Sequence, residues 1–355
     1  MPLHRQDACV PLYPCRRRRL SVGYGCLLNQ RRCSVRIIED HRELNSLPKG
    51  VVLTIGNFDG VHRGHQAILT TARQIARERQ TQVAVMTFDP HPAVLLNPDH
   101  APGILTPLEM KSLLLESLSV DVLIVIKDSL KLLNLSPEDF VDEFLMANLS
   151  PSVMVEGPDF NFGYGRSGTI QTLRQFGGPR RFEVVEVPFV DINGENATEK
   201  CSSSSIRRLL ASGDARGASQ ILGRPFRLVG KTIPGRGIGK QLGYPTANIE
   251  ATGQVIPAEG VYAGYVVVGD CLEDVVFGGL RRPAAISIGR AKTFLSDHPL
   301  LLEAHLLEDH VENLRGKWLG FDLMRFIRHQ QRFETKEQLK QQIQKDCDKA
   351  LNYLI

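Results

Sequence analysis

The sequence predicts two architectures in succession: an α/β doubly wound domain built on a parallel sheet, then an antiparallel β-barrel closed by a C-terminal helix. Three observations carry this. Up to about residue 222, short apolar runs alternate with stretches of helical periodicity, the pattern of strands joined by crossover helices. Beyond it the runs become β-rich and are separated by glycine and proline, as in a small barrel. From Lys336 to Leu354 the apolar residues Leu339, Ile343, Cys347, Ala350, Leu351 and Leu354 fall on one helical stripe.

The elements follow in order. Val51 to Ile55 is a β-branched run that reads as a buried strand, and a glycine-containing turn follows from Gly56 to Gly64. A helix is predicted from His65 to Glu78, with Ile68, Ala72, Ile75 and Ala76 on one face. Strands are predicted at Gln82 to Phe88, Asp121 to Ile126 and Ser152 to Glu156. Helices are predicted at Pro107 to Ser117 and Pro137 to Ala147. In the second half, strands are expected at Arg227 to Gly230, Gly260 to Val268, Ala284 to Ile288 and Leu301 to Leu307. The expected division is therefore 1–34 as a basic extension, 35–222 as the first domain and 223–355 as the second.

Composition narrows the function classes. With 42% hydrophobic and 23% charged residues the chain reads as an ordinary soluble globular protein. A net charge of +4 is too mild to argue for a nucleic-acid partner, which needs a concentrated basic face. No apolar run reaches about 18 residues, so no membrane span is expected. Cys201, Cys271 and Cys347 are scattered singly, the usage of a reducing cytoplasm. A monomer or weak oligomer is expected. Residues 1–34 differ: seven arginines from Arg5 to Arg32 face only Asp7, and Cys9, Cys15, Cys26 and Cys33 lack C-x2-C spacing. A disordered extension and an unused upstream start, a transit-like peptide and a metal site are the readings of that segment.

Two constellations carry the chemistry. Gly56-Asn57-Phe58-Asp59-Gly60-Val61-His62-Arg63-Gly64-His65 joins the first strand to a helix. A helix N-terminus there offers free amides and a positive dipole end to phosphate, and glycine lets the backbone come close. His62 and His65, three residues apart, can donate to one polyphosphate as charge builds on phosphorus. The rival reading is a glycine-rich turn with surface histidines. Thr87-Phe88-Asp89-Pro90-His91-Pro92 follows the second strand. Gly157, Asp159, Phe160, Phe162, Gly163, Arg166 and Gly168 follow the fourth, and Ser202-Ser203-Ser204-Ser205-Ile206-Arg207 opens a later helix. Phe160 and Phe162 read either as core or as flanks of a planar ligand. Asp159 reads as a Mg²⁺ ligand or as a loop cap. The serines and Arg207 read as a phosphate clamp or as an N-cap with a solvated arginine.

The second constellation places Gly235, Gly237 and Gly239 ahead of Leu242-Gly243-Tyr244-Pro245-Thr246-Ala247-Asn248. Further on stands Leu302-Glu303-Ala304-His305-Leu306-Leu307. A glycine flap over phosphates, oxygens from Thr246 and Asn248, and a carboxylate on an alternating strand suit phosphoryl transfer.

On these motifs, from about residue 35 to residue 355, the sequence resembles the bacterial bifunctional riboflavin kinase/FAD synthetase family, whose first domain is a nucleotidyltransferase. The resemblance implies conversion of riboflavin and ATP to FMN and ADP, then of FMN and ATP to FAD and pyrophosphate, with Mg²⁺ in both steps. It implies His62, His65 and Glu303 as catalytic residues. Gly56, Phe58, Asp59, Gly64, Ser203, Ser204, Arg207, Gly235, Gly239 and Lys240 would bind ATP. Asp89, Pro90, His91, Pro92, Phe160 and Phe162 would line the flavin. Asp159, Thr246 and Asn248 would hold metal. In the first domain Ser204 keeps the hydroxyl of the family's Thr; the departures are concentrated in the second, where Lys240 stands for Arg, Ser287 for Asn, Ala291-Lys292 for Arg-Pro, Leu314-Arg315-Gly316 for L-Y-G and Gln330 for Glu. They keep two alternatives open: an FAD synthetase whose barrel only binds flavin, and a non-enzymatic flavin-binding protein.

Overall fold

The computed structural model describes residues 34–191, 200–235, 237–250, 253–290, 300–308 and 313–354, the His41 side chain excepted. The cysteines of the basic extension and the departure at Ala291-Lys292 lie outside the described residues.

The first half forms one parallel sheet. Its strands are β1 (Arg36–Ile38), β2 (Val52–Ile55), β3 (Val83–Phe88), β4 (Val122–Ile126), β5 (Val153–Glu156) and β8 (Glu183–Glu186), with a small ribbon of β6 (Asn161–Phe162) and β7 (Gly168–Thr169) between the last two. The order is β1-β4-β3-β2-β5-β8, and every pairing in it is parallel. The four inner strands, β2 to β5, are largely apolar because both faces are covered, whereas the edge strands β1 and β8 carry Arg36, Glu183 and Glu186. Alternate residues go to opposite layers: Leu53, Ala84, Met86, Val122, Ile124 and Met154 face one core with Phe140, Phe144 and Leu173. Val52, Val83, Val153 and Val155 meet Ala72 and Ala76 of the helix Arg63–Glu78 on the other side.

The second half is a closed antiparallel barrel, β10-β13-β12-β11-β14-β9, of β9 (Phe226–Ile233), β10 (Ala247–Ile249), β11 (Gly260–Gly269), β12 (Arg281–Arg290), β13 (Leu300–Leu306) and β14 (Trp318–His329). Its interior takes Ile249, Tyr262, Ile286, Ile288, Leu302, Ala304, Leu306, Phe321 and Leu323. The same cluster includes Ile206 and Leu210 of the helix Ser203–Ala211, and Ala215, Ala218, Ile221 and Leu222 of the helix Ala215–Leu222. The helix Lys336–Leu354 lies where its stripe predicts and buries Cys347 and Ala350. Arg328 anchors it through a forked pair with the buried Asp346, at 2.7 to 3.1 Å.

Six strands escape the sequence reading: β1, β8, β10, β14 and the two-residue strands β6 and β7. The longest, β14, carries Asp322, Arg325 and Arg328 and so looks polar. Asp322 is nonetheless buried, because Arg227 and Arg281 neutralise it at 2.6 and 3.0 Å. The helix predicted at Pro137 to Ala147 is a single turn that widens into a π-helix over Phe140–Leu149.

Candidate functional site

In an open α/β sheet, ligands gather beyond the carboxyl ends of the strands where the strand order reverses. Here β2 is that point, with β3 and β4 to one side and β5 to the other. Three of the sequence motifs begin at the carboxyl ends of β2, β3 and β5. The ladder between β2 and β5 pairs only Val52 with Val153 and Leu53 with Met154. Beyond it the strands part, and the Ile55 amide donates instead to Glu156 Oε1 at 2.8 Å. Burial pushes the Glu156 carboxyl well above its ordinary range.

His62 caps the helix Arg63–Glu78, its Nδ1 accepting from the His65 amide at 3.4 Å, so the ring proton sits on Nε2. The His62 and His65 rings stack at 3.6 Å, and Phe58 tilts against His65 at 4.9 Å. Gly64 leaves little room there: a Cβ would lie 3.2 Å from the His62 ring, which would have to shift by a few tenths of an ångström. Burial pushes His62 down to about 4. Burial also pushes His65 well below its ordinary value, with His62, Lys111 and Arg224 adding to the effect. The His65 Nδ1 is sealed from solvent with no partner among the described residues. At neutral pH both imidazoles are therefore uncharged.

The remaining motif residues divide into groups. The buried Asp59 carboxylate accepts from the amides of Leu105 at 3.0 Å and Thr106 at 2.9 Å. It is also paired with Arg207, whose Nε donates to the Gly103 carbonyl at 2.6 Å. Ser203 Oγ donates to the Asp59 carbonyl at 2.8 Å, while Ser204 is exposed. Asp59, Ser203 and Arg207 thus hold one another. Asp89 binds Lys127 at 2.8 Å, Asp89–Pro90 is a cis peptide, and the His91 ring caps the short helix Pro92–Leu96. Phe162 is a core side chain against Phe140, whereas Phe160, stacked on it at 5.6 Å, is only half-buried. Asp159 is exposed and paired with Lys200 at 2.8 Å. Gly56 lies against the Phe58 ring.

Sequence reasoning missed three neighbours. Lys111, buried, donates from Nζ to the Asn57 carbonyl at 2.8 Å, and burial lowers its pKa. The signal was a lysine three residues after Leu108 and four before Leu115, on the apolar face of a helix. Cys201 Sγ accepts from the Gly64 amide at 3.2 Å and lies 3.7 Å from His62 Nδ1. Arg224 donates to the carbonyls of Gly60 and Val61 at 2.7 and 3.2 Å.

The barrel carries the second constellation on its outer wall. Leu302, Ala304 and Leu306 point inward, so alternation turns Glu303 and His305 outward. Register places Asn248 of β10 and Ser287 of β12 directly beside Glu303. Asn248 is buried beneath Gly235, where any side chain would overlap its amide, and its Oδ1 has no partner among the described residues. Thr246 and Lys240 are exposed, and Gly239 packs against the Tyr244 carbonyl and Thr246. His305 Nδ1 donates to the Pro245 carbonyl at 2.8 Å, which gives it a structural task in the turn. Two departures from the family pattern meet: Gln330 Nε2 donates to Ser287 Oγ at 3.0 Å.

Residues 44–204 match a family described as FAD synthetase, and residues 222–354 match one described as riboflavin kinase. The chain is 34% identical over 313 residues to the bifunctional riboflavin kinase/FMN adenylyltransferase of Escherichia coli (strain K12), across 88% of this chain and 96% of the relative. It is 36% identical over 297 residues to the protein of that name from Listeria monocytogenes, across 83% of this chain and 90% of the relative. In fold it is similar to a Streptococcus pneumoniae crystal structure described as a macrolide-efflux protein, with a TM-score of 0.78 and 25% identity over 90% of this chain and all of that one. Among the described residues no helix is long and apolar enough to cross a membrane. With both domains present in order and relatives aligned nearly end to end, the chain belongs to the bifunctional riboflavin kinase/FMN adenylyltransferase family.

Proposed function

We propose that the barrel phosphorylates riboflavin to FMN with ATP, and that the α/β domain adenylylates FMN to FAD with release of pyrophosphate. The observation that carries this reading is the stacked, neutral His62–His65 pair at a helix N-terminus, set at the point where the strand order reverses. In adenylyl transfer an FMN phosphate oxygen attacks the α-phosphorus of ATP, and the bond to pyrophosphate breaks. No protein nucleophile is needed. Ring N–H groups and helix amides stabilise the charge that gathers on the phosphoryl oxygens. Phe160 supplies an aromatic face for the flavin, while Asp59, Ser203 and Arg207 hold the frame on which the histidines stand.

In the kinase step a ribityl hydroxyl of riboflavin attacks the γ-phosphorus, Glu303 accepts the hydroxyl proton, and ADP leaves. The glycine flap at Gly235 to Gly239 covers the phosphates. Asn248 and Thr246 fit a divalent ion of the Mg²⁺ type, because a buried amide oxygen with no partner among the described residues, two residues after a hydroxyl, offers oxygen donors to a hard cation. When bound, the ion would neutralise phosphate charge and orient ATP. In the α/β domain a cation at Asp159 would have to displace Lys200.

Product analysis by chromatography tests the reading. Purified protein with ATP and Mg²⁺ should yield FAD from FMN, and FMN followed by FAD from riboflavin. FAD from FMN alone would mean that the barrel binds flavin without phosphorylating it, and no product from either would leave a flavin-binding protein.

A further inference from the structure

The loop that carries His62 is strained. Phe58 has φ of 47° and Val61 φ of 42°, a left-handed conformation that a β-branched residue rarely adopts. Such a conformation persists only where its surroundings over-determine it. The grip comes largely from beyond the α/β domain. Arg224 stands between the helix Ala215–Leu222 and β9, on the barrel side. Its Nη2 donates to the Gly60 carbonyl at 2.7 Å, and its Nη1 to the carbonyls of Val61 at 3.2 Å and Leu222 at 3.4 Å. Gln66 Nε2 donates to the same Val61 and Leu222 carbonyls at 2.8 and 2.9 Å. The other end of the loop is held as well. Gln254 Nε2 donates to the Leu105 carbonyl at 3.1 Å, its Oε1 accepts from the Val229 amide of β9 at 2.9 Å, and the Leu105 amide binds Asp59.

We propose that Arg224 is a positioning residue for adenylyl transfer: it clamps the carbonyls of Gly60 and Val61 so that the strained loop presents His62 and His65 in their working geometry. The inference rests on the adenylyl-transfer reading of that site. It makes the barrel half a structural part of the first active site as well as the seat of the second. Among the described residues Arg224 has no carboxylate partner, so its hydrogen bonds go to backbone carbonyls, two of them on the residues just before His62.

The test uses the full-length protein. Arg224→Gln and Arg224→Lys are assayed for FAD formation from FMN and, in the same preparation, for FMN formation from riboflavin. Lysine keeps the charge but cannot fork across two carbonyls. Both variants should lower kcat for FAD formation by about 10- to 100-fold, change the KM for ATP by less than about threefold, and leave FMN formation within about twofold of wild type, as misplacement of a reacting group predicts. Unchanged kcat for FAD formation, or equal loss of both activities, overturns the proposal. If the Arg224 variants do not fold, Gln66→Met decides it: a kcat loss of roughly threefold or more, confined to FAD formation, is expected from loss of a hydrogen bond to the same carbonyl, and none overturns it. Wild-type protein that makes no FAD would remove the underlying reading and the inference together. Wild-type turnover with unaltered variants would remove the inference alone.

Discussion

The two sites meet the same co-substrate with different hardware. The α/β site concentrates its chemistry in ten consecutive residues, where the turn between β2 and a helix stacks the buried His62 ring on the half-buried His65 ring at 3.6 Å. The barrel site gathers Asn248, Glu303 and Ser287 from three strands, side by side only because the ladders fix their register. In the first, spacing along the chain is already geometry. In the second, geometry is a property of barrel closure, and a one-residue slip would turn Glu303 inward. A local string should thus fail through its own residues and through the few side chains, Arg224 and Gln66, that clamp its carbonyls, whereas a cross-strand row should also fail through whole strands that align it.

The sharpest break of this comparison is Glu303→Gln. It should lower FMN formation by roughly 10²- to 10⁴-fold, the usual contribution of a general base, with FAD formation from FMN intact. Steady-state assays of both steps on one preparation check this. The mirror variant, His65→Ala, should lower FAD formation by roughly 10²- to 10³-fold, the scale for losing one preorganised donor, and spare FMN formation. If either variant abolishes both products alike, the two-site division is wrong. Next in size, Asn248→Ala should raise the ATP and Mg²⁺ concentrations needed for half-maximal FMN formation by about tenfold, the worth of one charge-assisted contact. A metal titration of kinase rate reads it out.

The last effect concerns stability, not turnover. His62 is held down to about 4 by burial, against 6.5 when unfolded. Its contribution is complete above pH 6.5 and is lost progressively as the pH falls toward 4, where the folded protein also takes up the proton. At pH 5 the loss is about 2 kcal/mol. Urea unfolding of wild type and His62→Gln at pH 7.5 and pH 5 should show a shallower pH dependence in the variant.

The same contrast explains how much the sequence disclosed. The four central strands of the sheet were legible as short, near-continuous apolar runs, and the last helix because its apolar spacing keeps one period throughout. The histidine loop was legible because its function lies in a contiguous string. Lys111, Arg224 and Glu156 were not, since each acts across a long separation in the chain. Glu156 did leave a trace, as a charged residue closing the buried run Val153 to Val155. The fate of Asp59 and Arg207 was equally hidden: both are charged residues inside phosphate-like motifs, and only the fold reveals that they pair with each other. In the barrel, Ser287 and Gln330 look like two separate departures in sequence. Their bond at 3.0 Å makes them one matched exchange next to Glu303. That favours a retained kinase face over a decayed one.

The helices from Ser203 to Leu222 belong to both halves. Ser203 and Arg207 bind Asp59, while Ile206, Leu210, Ala218 and Ile221 sit in the barrel's own cluster. This makes the composition break at residue 222 a poor place to cut the gene. A fragment ending there would carry a bare apolar stripe into solvent and tend to aggregate. A fragment beginning there would lose the side chains that stopper its interior. The two enzymes share a lid, so anyone who wants one alone must redesign the surface of the other's remainder.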